Sequence, residues 1–90
     1  MPTIRLCKLL MKEIRFHEHA GEKMRRRGII KGLALKTLEN PEEVKEGKYG
    51  RKIAQKVFGE YLLRVIFEDH ENFILVITLY LTKPRRYLRE

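Results

Sequence analysis

The chain's chemical inventory is short. It has three histidines, one cysteine and four tyrosines, with no tryptophan and no serine. Without serine, a Ser/His/Asp triad cannot be assembled. Cys7 has no identifiable activating base and cannot form a disulfide within the chain. The phosphate-loop pattern GxxxxGK[ST] is absent. His17 and His19 flank Glu18, and only the distant Cys7 and His70 could complete a metal site, so no metal centre or other cofactor is expected. The more useful reading of His19 is a proton donor or phosphate contact at a helix start; the plainer one is a capping or half-buried side chain. The acidic runs Glu42-Glu43 and Glu68–Glu71 read as solvated loops rather than an acid/base pair.

What remains is Lys52, Lys56, Arg64, Thr78, Tyr80, Lys83, Arg86 and Tyr87, with His19 as an outlier. These types suit a phosphodiester. Arg and Lys hold a phosphate and stabilise charge that develops on it. Tyr stacks on a base or transfers a proton. RNA cleavage without a metal needs only such parts, because the substrate 2′-OH is the nucleophile. The plainer alternative is phosphate binding with no bond broken, each residue then being an ordinary strand-face or tail residue.

Charge supports an anionic partner. Twenty Lys+Arg against twelve Asp+Glu leave a net charge of +8, and the isoelectric point is about 9.9. The excess is clustered in Lys23, Arg25, Arg26, Arg27 and Lys31, then in Lys48, Arg51, Lys52 and Lys56, then in Lys83, Arg85, Arg86 and Arg89. No Asp or Glu belongs to these clusters, whereas a chain needing only solubility more often mixes the signs. Nucleic acid is the first partner this favours, followed by an acidic protein or membrane surface. Ninety residues with 43% hydrophobic content fit a single small domain and exclude a disordered tail. No apolar run reaches the roughly 18 residues of a membrane span. No secretory signal opens the chain, and residues 1–10 read as a possible extension ahead of Met11. The expected location is cytoplasmic.

These residues must be positioned by an α+β fold. Glu13–Phe16 reads as a short strand. A helix follows from His17–Ala20 to Arg27, where Gly28 stops it. Ile30, Leu33, Ala34, Thr37 and Leu38 line one face of a second helix, which Asn40-Pro41 ends. Arg51–Phe58, Tyr61–Glu68 and Asn72–Leu81 read as an antiparallel meander, with a weaker strand at Glu43–Glu46. The expected architecture is two N-terminal helices on a twisted antiparallel sheet of three to four strands. Parity through the turns groups Ile53, Val57, Leu62, Ile66, Phe73, Leu75, Ile77 and Leu79 on one face, with Gln55 and Arg64 among them, and this is the better candidate for the helix-covered face. Lys52, Ala54, Lys56, Tyr61, Leu63, Val65, Ile74, Val76, Thr78 and Tyr80 then line a partly open face. A β-bulge would reverse this assignment.

The order FHEHAGEKMRRRGI, LENPEEVKEGKYGRKIAQK, LLRVIFED, ILVITLY and TKPRRY resembles a family of small prokaryotic domains of unknown function over Ile14–Tyr87. That family is usually grouped with the RelE/ParE-like toxins of the barnase–colicin–RelE nuclease fold. The resemblance implies two helices on a twisted antiparallel sheet, metal-independent cleavage of ribosome-associated messenger RNA, and neutralisation by an antitoxin. Residue by residue it marks His19, Arg27, Gly28, Arg51, Lys52, Gln55, Lys56, Arg64, Thr78, Tyr80 and Tyr87, with Gly28 and Arg27 better suited to the inter-helix turn.

The combined expectation is a toxin-like endoribonuclease of a toxin–antitoxin pair. His19, Lys52, Lys56, Arg64 and Tyr80 form its catalytic set, and Arg51, Gln55, Thr78, Lys83, Arg86 and Tyr87 contact RNA. Its partners would be RNA, an acidic antitoxin and a second copy of the chain. The competing expectation is a non-catalytic basic module that binds nucleic acid or an acidic protein.

Overall fold

A computed structural model describes residues 12–83. The chain runs β1 (Glu13–Phe16), α1 (Glu18–Arg27), α2 (Lys31–Glu39), β2 (Glu43–Glu46), a 3-10 turn (Lys48–Gly50), β3 (Lys52–Phe58), β4 (Tyr61–Asp69) and β5 (Phe73–Thr82). The strands form one five-stranded sheet in the order β1-β5-β4-β3-β2. Neighbours from β2 to β5 are antiparallel, and β1 lies parallel to β5.

The expected antiparallel sheet of three to four strands under two N-terminal helices is therefore corrected to a mixed sheet of five. The extra pairing comes from Glu13–Phe16, which precedes both helices and pairs with Phe73–Val76. A parallel partner requires a long connection. Here β1 and β2, consecutive strands, occupy opposite edges of the sheet, and the two helices carry the chain between them. Alternation within four residues marks a strand but does not encode which distant strand it joins.

Local chemistry sets the helix ends. His17 is the N-cap of α1, and its Nδ1 accepts the His19 backbone N–H at 3.0 Å. Glu18 in the first turn and Arg25, Arg26 and Arg27 in the last complement the helix dipole. Gly28, at φ 68°, ends the helix in the left-handed region and donates its N–H to the Met24 carbonyl. In α2, Ala34, Thr37 and Leu38 are buried, while Ile30 is the N-cap and lies exposed. The Thr37 hydroxyl donates to the Leu33 carbonyl at 2.9 Å, so it enters the core with its polarity satisfied.

One irregularity decides which residues of β5 share a face with those of β4. Ile66 pairs with Thr78 but Phe67 pairs with Val76, so β5 carries an extra residue at Ile77. The bulge changes the parity of β5 halfway along. Leu79 thereby joins Ala54, Leu63, Val65, Phe67, Ile74 and Val76 in packing with Ala20, Ile29, Ala34 and Leu38 of the helical layer. The face expected to be covered is thus the open one for β3, β4 and the first half of β5, whose grouping by parity stands. Past the bulge Leu79 is covered as expected, while Thr78 and Tyr80 change face because β5 was counted as regular. Gln55, Arg64, Thr78 and Tyr80 fall on the far face of the sheet.

Candidate functional site

The far face carries a row of polar residues in transverse register. Glu43 on β2 lies opposite Gln55 on β3, Gln55 opposite Arg64 on β4, and Arg64 opposite Tyr80 on β5. Side chains at such directly opposed positions are neighbours, and here they are linked by hydrogen bonds. Gln55 Nε2 donates to Glu43 Oε1 at 3.1 Å. Arg64 Nε donates to Gln55 Oε1 at 2.7 Å, and Arg64 Nη1 donates to the Tyr80 hydroxyl oxygen at 2.6 Å. Arg64 is 8% exposed and Gln55 is fully buried. A guanidinium so enclosed is tolerated only when its N–H groups are engaged. The row therefore fixes the guanidinium plane and points one edge at the Tyr80 oxygen. Thr78 lies two residues before Tyr80, and its Oγ1 is buried with no hydrogen-bond partner among the described residues.

Tyr80 also meets the helical layer. Pairing of β1 with β5 stops at Phe16 and Val76, and the His17 N–H closes it on the Val76 carbonyl at 2.8 Å. The chain then turns into α1, which packs along β5. This brings the Lys23 ammonium 5.8 Å from the centroid of the Tyr80 ring, while the Arg64 Cζ lies 5.7 Å from it. Both are in cation–π range. His19 is exposed one turn before Lys23, and the i, i+4 spacing places both on one side of α1. Lys23, Tyr80 and Arg64 thus meet from two layers, and His19 shares the side of α1 that carries Lys23.

The other expected residues are placed elsewhere. Lys52 and Lys56 flank Ala54 and share its helix-side face, with the sheet between them and Arg64. Lys56 Nζ donates to the Asn40 carbonyl at 3.0 Å, at the C-terminal end of α2. Arg51 Nε donates to Glu68 Oε2 at 3.2 Å. The other oxygen of Glu68 lies 2.9 Å from His70 Nε2. Hydrogen bonds from His70, and then from Arg51, hold Glu68 below its ordinary value of 4.5. Lys83 is exposed just past β5. Arg86 and Tyr87 lie outside the described residues.

The basic clusters follow the same division. The first lies along α1 and at the start of α2, the second begins at the β2–β3 turn, and most of the third lies outside the described residues. Sequence reasoning counted Lys23 only as charge and set Glu43 aside in an acidic run. The four-residue spacing from His19 was the available signal for Lys23. None existed for Glu43, whose role depends on the register of three other strands.

Among the described residues no group of three or more His, Cys, Asp or Glu gathers as a metal site. No helix among them is long and apolar enough to cross a membrane.

No curated protein and no solved structure matches the chain. One family model does, over residues 16–81, a span that includes His19, Lys23, Arg64 and Tyr80. Nothing in that match links the family to RelE/ParE-like toxins, and its description assigns no activity. The match covers well over half of the sequence, and the chain belongs to the family described as a domain of unknown function, DUF4258.

Proposed function

We propose that this chain acts on RNA as a toxin-like endoribonuclease of a toxin–antitoxin pair, cleaving messenger RNA without a metal. The observation that carries the reading is Tyr80, its oxygen held by Arg64 at 2.6 Å and its ring flanked by Lys23. In such a reaction the substrate 2′-OH attacks the adjacent phosphorus. Negative charge builds on the phosphate, and the 5′-oxygen leaves with a proton. In this reading Tyr80, with Arg64 stabilising charge on its oxygen, takes the proton of the attacking 2′-OH, and His19 gives one to the leaving 5′-oxygen. Lys23 supplies a cation for the phosphate, and His19 is the second proton carrier on the same side of α1. The basic composition supports this reading, as does the grouping with RelE/ParE-like toxins that the sequence resemblance implies for the family. Those toxins also suggest ribosome-associated messenger RNA as substrate and an acidic antitoxin as partner.

A second reading has its own observation. Lys52 and Lys56 stand on the helix side of the sheet and cannot share one phosphate with the buried Arg64. A basic module that binds RNA or an acidic protein without cleaving needs no such convergence. Messenger RNA incubated with the protein and a chelator, with and without ribosomes, separates the readings. The nuclease yields discrete fragments. Intact RNA under both conditions, with salt-sensitive binding retained, would leave only the binding module.

A further inference from the structure

The β2–β3 connection contains a residue whose backbone and exposure disagree with its type. Lys48, Tyr49, Gly50 and Arg51 form a tight turn closed by the Arg51 N–H on the Lys48 carbonyl at 3.1 Å. Outside it, the Gly47 N–H donates to the Arg51 carbonyl at 2.7 Å. Tyr49 has φ 59° and ψ 34°, and Gly50 has φ 73°. Positive φ at both central positions is the signature of a type I′ turn, in which Asn, Asp or Gly is the favoured first residue. Gly50 meets the requirement. Tyr49 is the only non-glycine residue at positive φ among the described residues, and a bulky side chain is strained there.

Packing within the described residues does little to offset that strain. Tyr49 is 86% exposed, the most exposed large hydrophobic side chain among the described residues. A tyrosine in the core can be held in an unfavourable backbone by packing, but this ring packs on little. The residues around it are basic. Lys48 is exposed beside it, and Arg51 and Lys52 follow the turn. Arg51 is shared with Glu68 and Glu46 stands opposite Lys52, so Lys48 is the cation least engaged with an acid.

We propose that Tyr49 is a base-stacking finger for single-stranded RNA, with Lys48 and Lys52 contacting the flanking phosphates. The reasoning runs from the outlier to the role. A planar ring on a rigid turn loses little freedom when a base stacks on it, and neighbouring lysines answer the phosphates on either side. A single ring set among lysines presents no continuous apolar patch, so a nucleobase fits it better than a protein interface does. This inference rests on the reading that the chain acts on RNA, and it adds a binding point apart from Tyr80 and Arg64.

The test compares wild type, Tyr49→Asn and Tyr49→Phe, using a short fluorescent single-stranded RNA and an abasic strand of the same length. Tyr49→Asn suits the turn better, so its melting temperature is expected to rise by roughly 4 °C, which shows that the variant is folded. Its affinity for the RNA is expected to fall on the order of tenfold, while its affinity for the abasic strand stays close to wild type. Tyr49→Phe is expected to bind RNA like wild type. Equal RNA affinity for wild type and Tyr49→Asn would overturn the finger and leave the cleavage reading intact. An equal loss on the abasic strand would also overturn it, because stacking would not be the cause. Stacking-dependent binding without cleavage would uphold the finger and remove the nuclease reading. No RNA binding by wild type would overturn both.

Discussion

Tyr80 joins the two layers of this molecule. Its oxygen accepts from Arg64 on the far face and its ring lies near Lys23 of the helical layer. Tyr80→Phe keeps the ring and removes the oxygen. RNA cleavage is expected to fall by about a hundredfold or more, with RNA affinity nearly unchanged; the ratio of single-turnover rate to binding constant measures this. A second residue-scale expectation concerns Glu68. Its carboxylate is held below 4.5 in the folded chain by His70 and Arg51. A lowered folded value means that the stabilising contribution is present above the unfolded value and is lost as pH falls through the folded one. Melting curves of wild type and Glu68→Gln should therefore differ modestly at neutral pH and converge on acidification below 4.5. A gap that persists or widens in acid would contradict the assigned ion pairs. Residue types alone picked out Arg64 and Tyr80, because a phosphodiester calls for them. The same reasoning also selected Lys52 and Lys56, since nothing in these residue types reveals that a bulge in β5 moves Tyr80 off their face and onto that of Arg64.

Elements were legible where their causes are local. The turn at Gly59-Glu60 between Phe58 and Tyr61, the strand at Glu43–Glu46 and the stop at Gly28 all follow from nearby residues. Two features were not local. The parallel pairing of β1 with β5 joins segments about sixty residues apart. The extra residue at Ile77 sits in an unbroken apolar run, Phe73–Val76 continuing through Ile77, with no Gly or Pro to mark it. That bulge is what carries Thr78 and Tyr80 to the far face. The Gly28 stop matters because α2 can begin at Lys31 only after the chain reverses. An added Cβ at Gly28 meets no atom within 4 Å, so Gly28→Ala isolates the backbone strain of φ 68°. The expected cost is about 1 kcal/mol, read as a melting temperature lower by roughly 4–8 °C. No change would mean that the inter-helix turn relaxes freely.

At the scale of the whole molecule, the helices bridge strands at opposite edges of one sheet and leave two chemically different faces. One face is apolar where Ala20, Ala34 and Leu38 meet Val65, Ile74 and Val76. The other carries the row from Glu43 to Tyr80. The net charge of +8 is the whole-molecule feature on which the proposed polyanionic partner rests. Its distribution places the first cluster beside Tyr80, through Lys23, and the second at a separate corner, around Tyr49. The most direct measurement is the rate of messenger RNA cleavage in chelator, in the presence of ribosomes, for wild type, Tyr80→Phe and the double variant Lys52→Ala/Lys56→Ala. With Tyr80 and Arg64 as the reacting centre, wild type cleaves, Tyr80→Phe is nearly inactive, and the double variant loses affinity while retaining most of its single-turnover rate. Cleavage undiminished in Tyr80→Phe, or absent from the folded wild-type protein, would contradict the assignment of that centre.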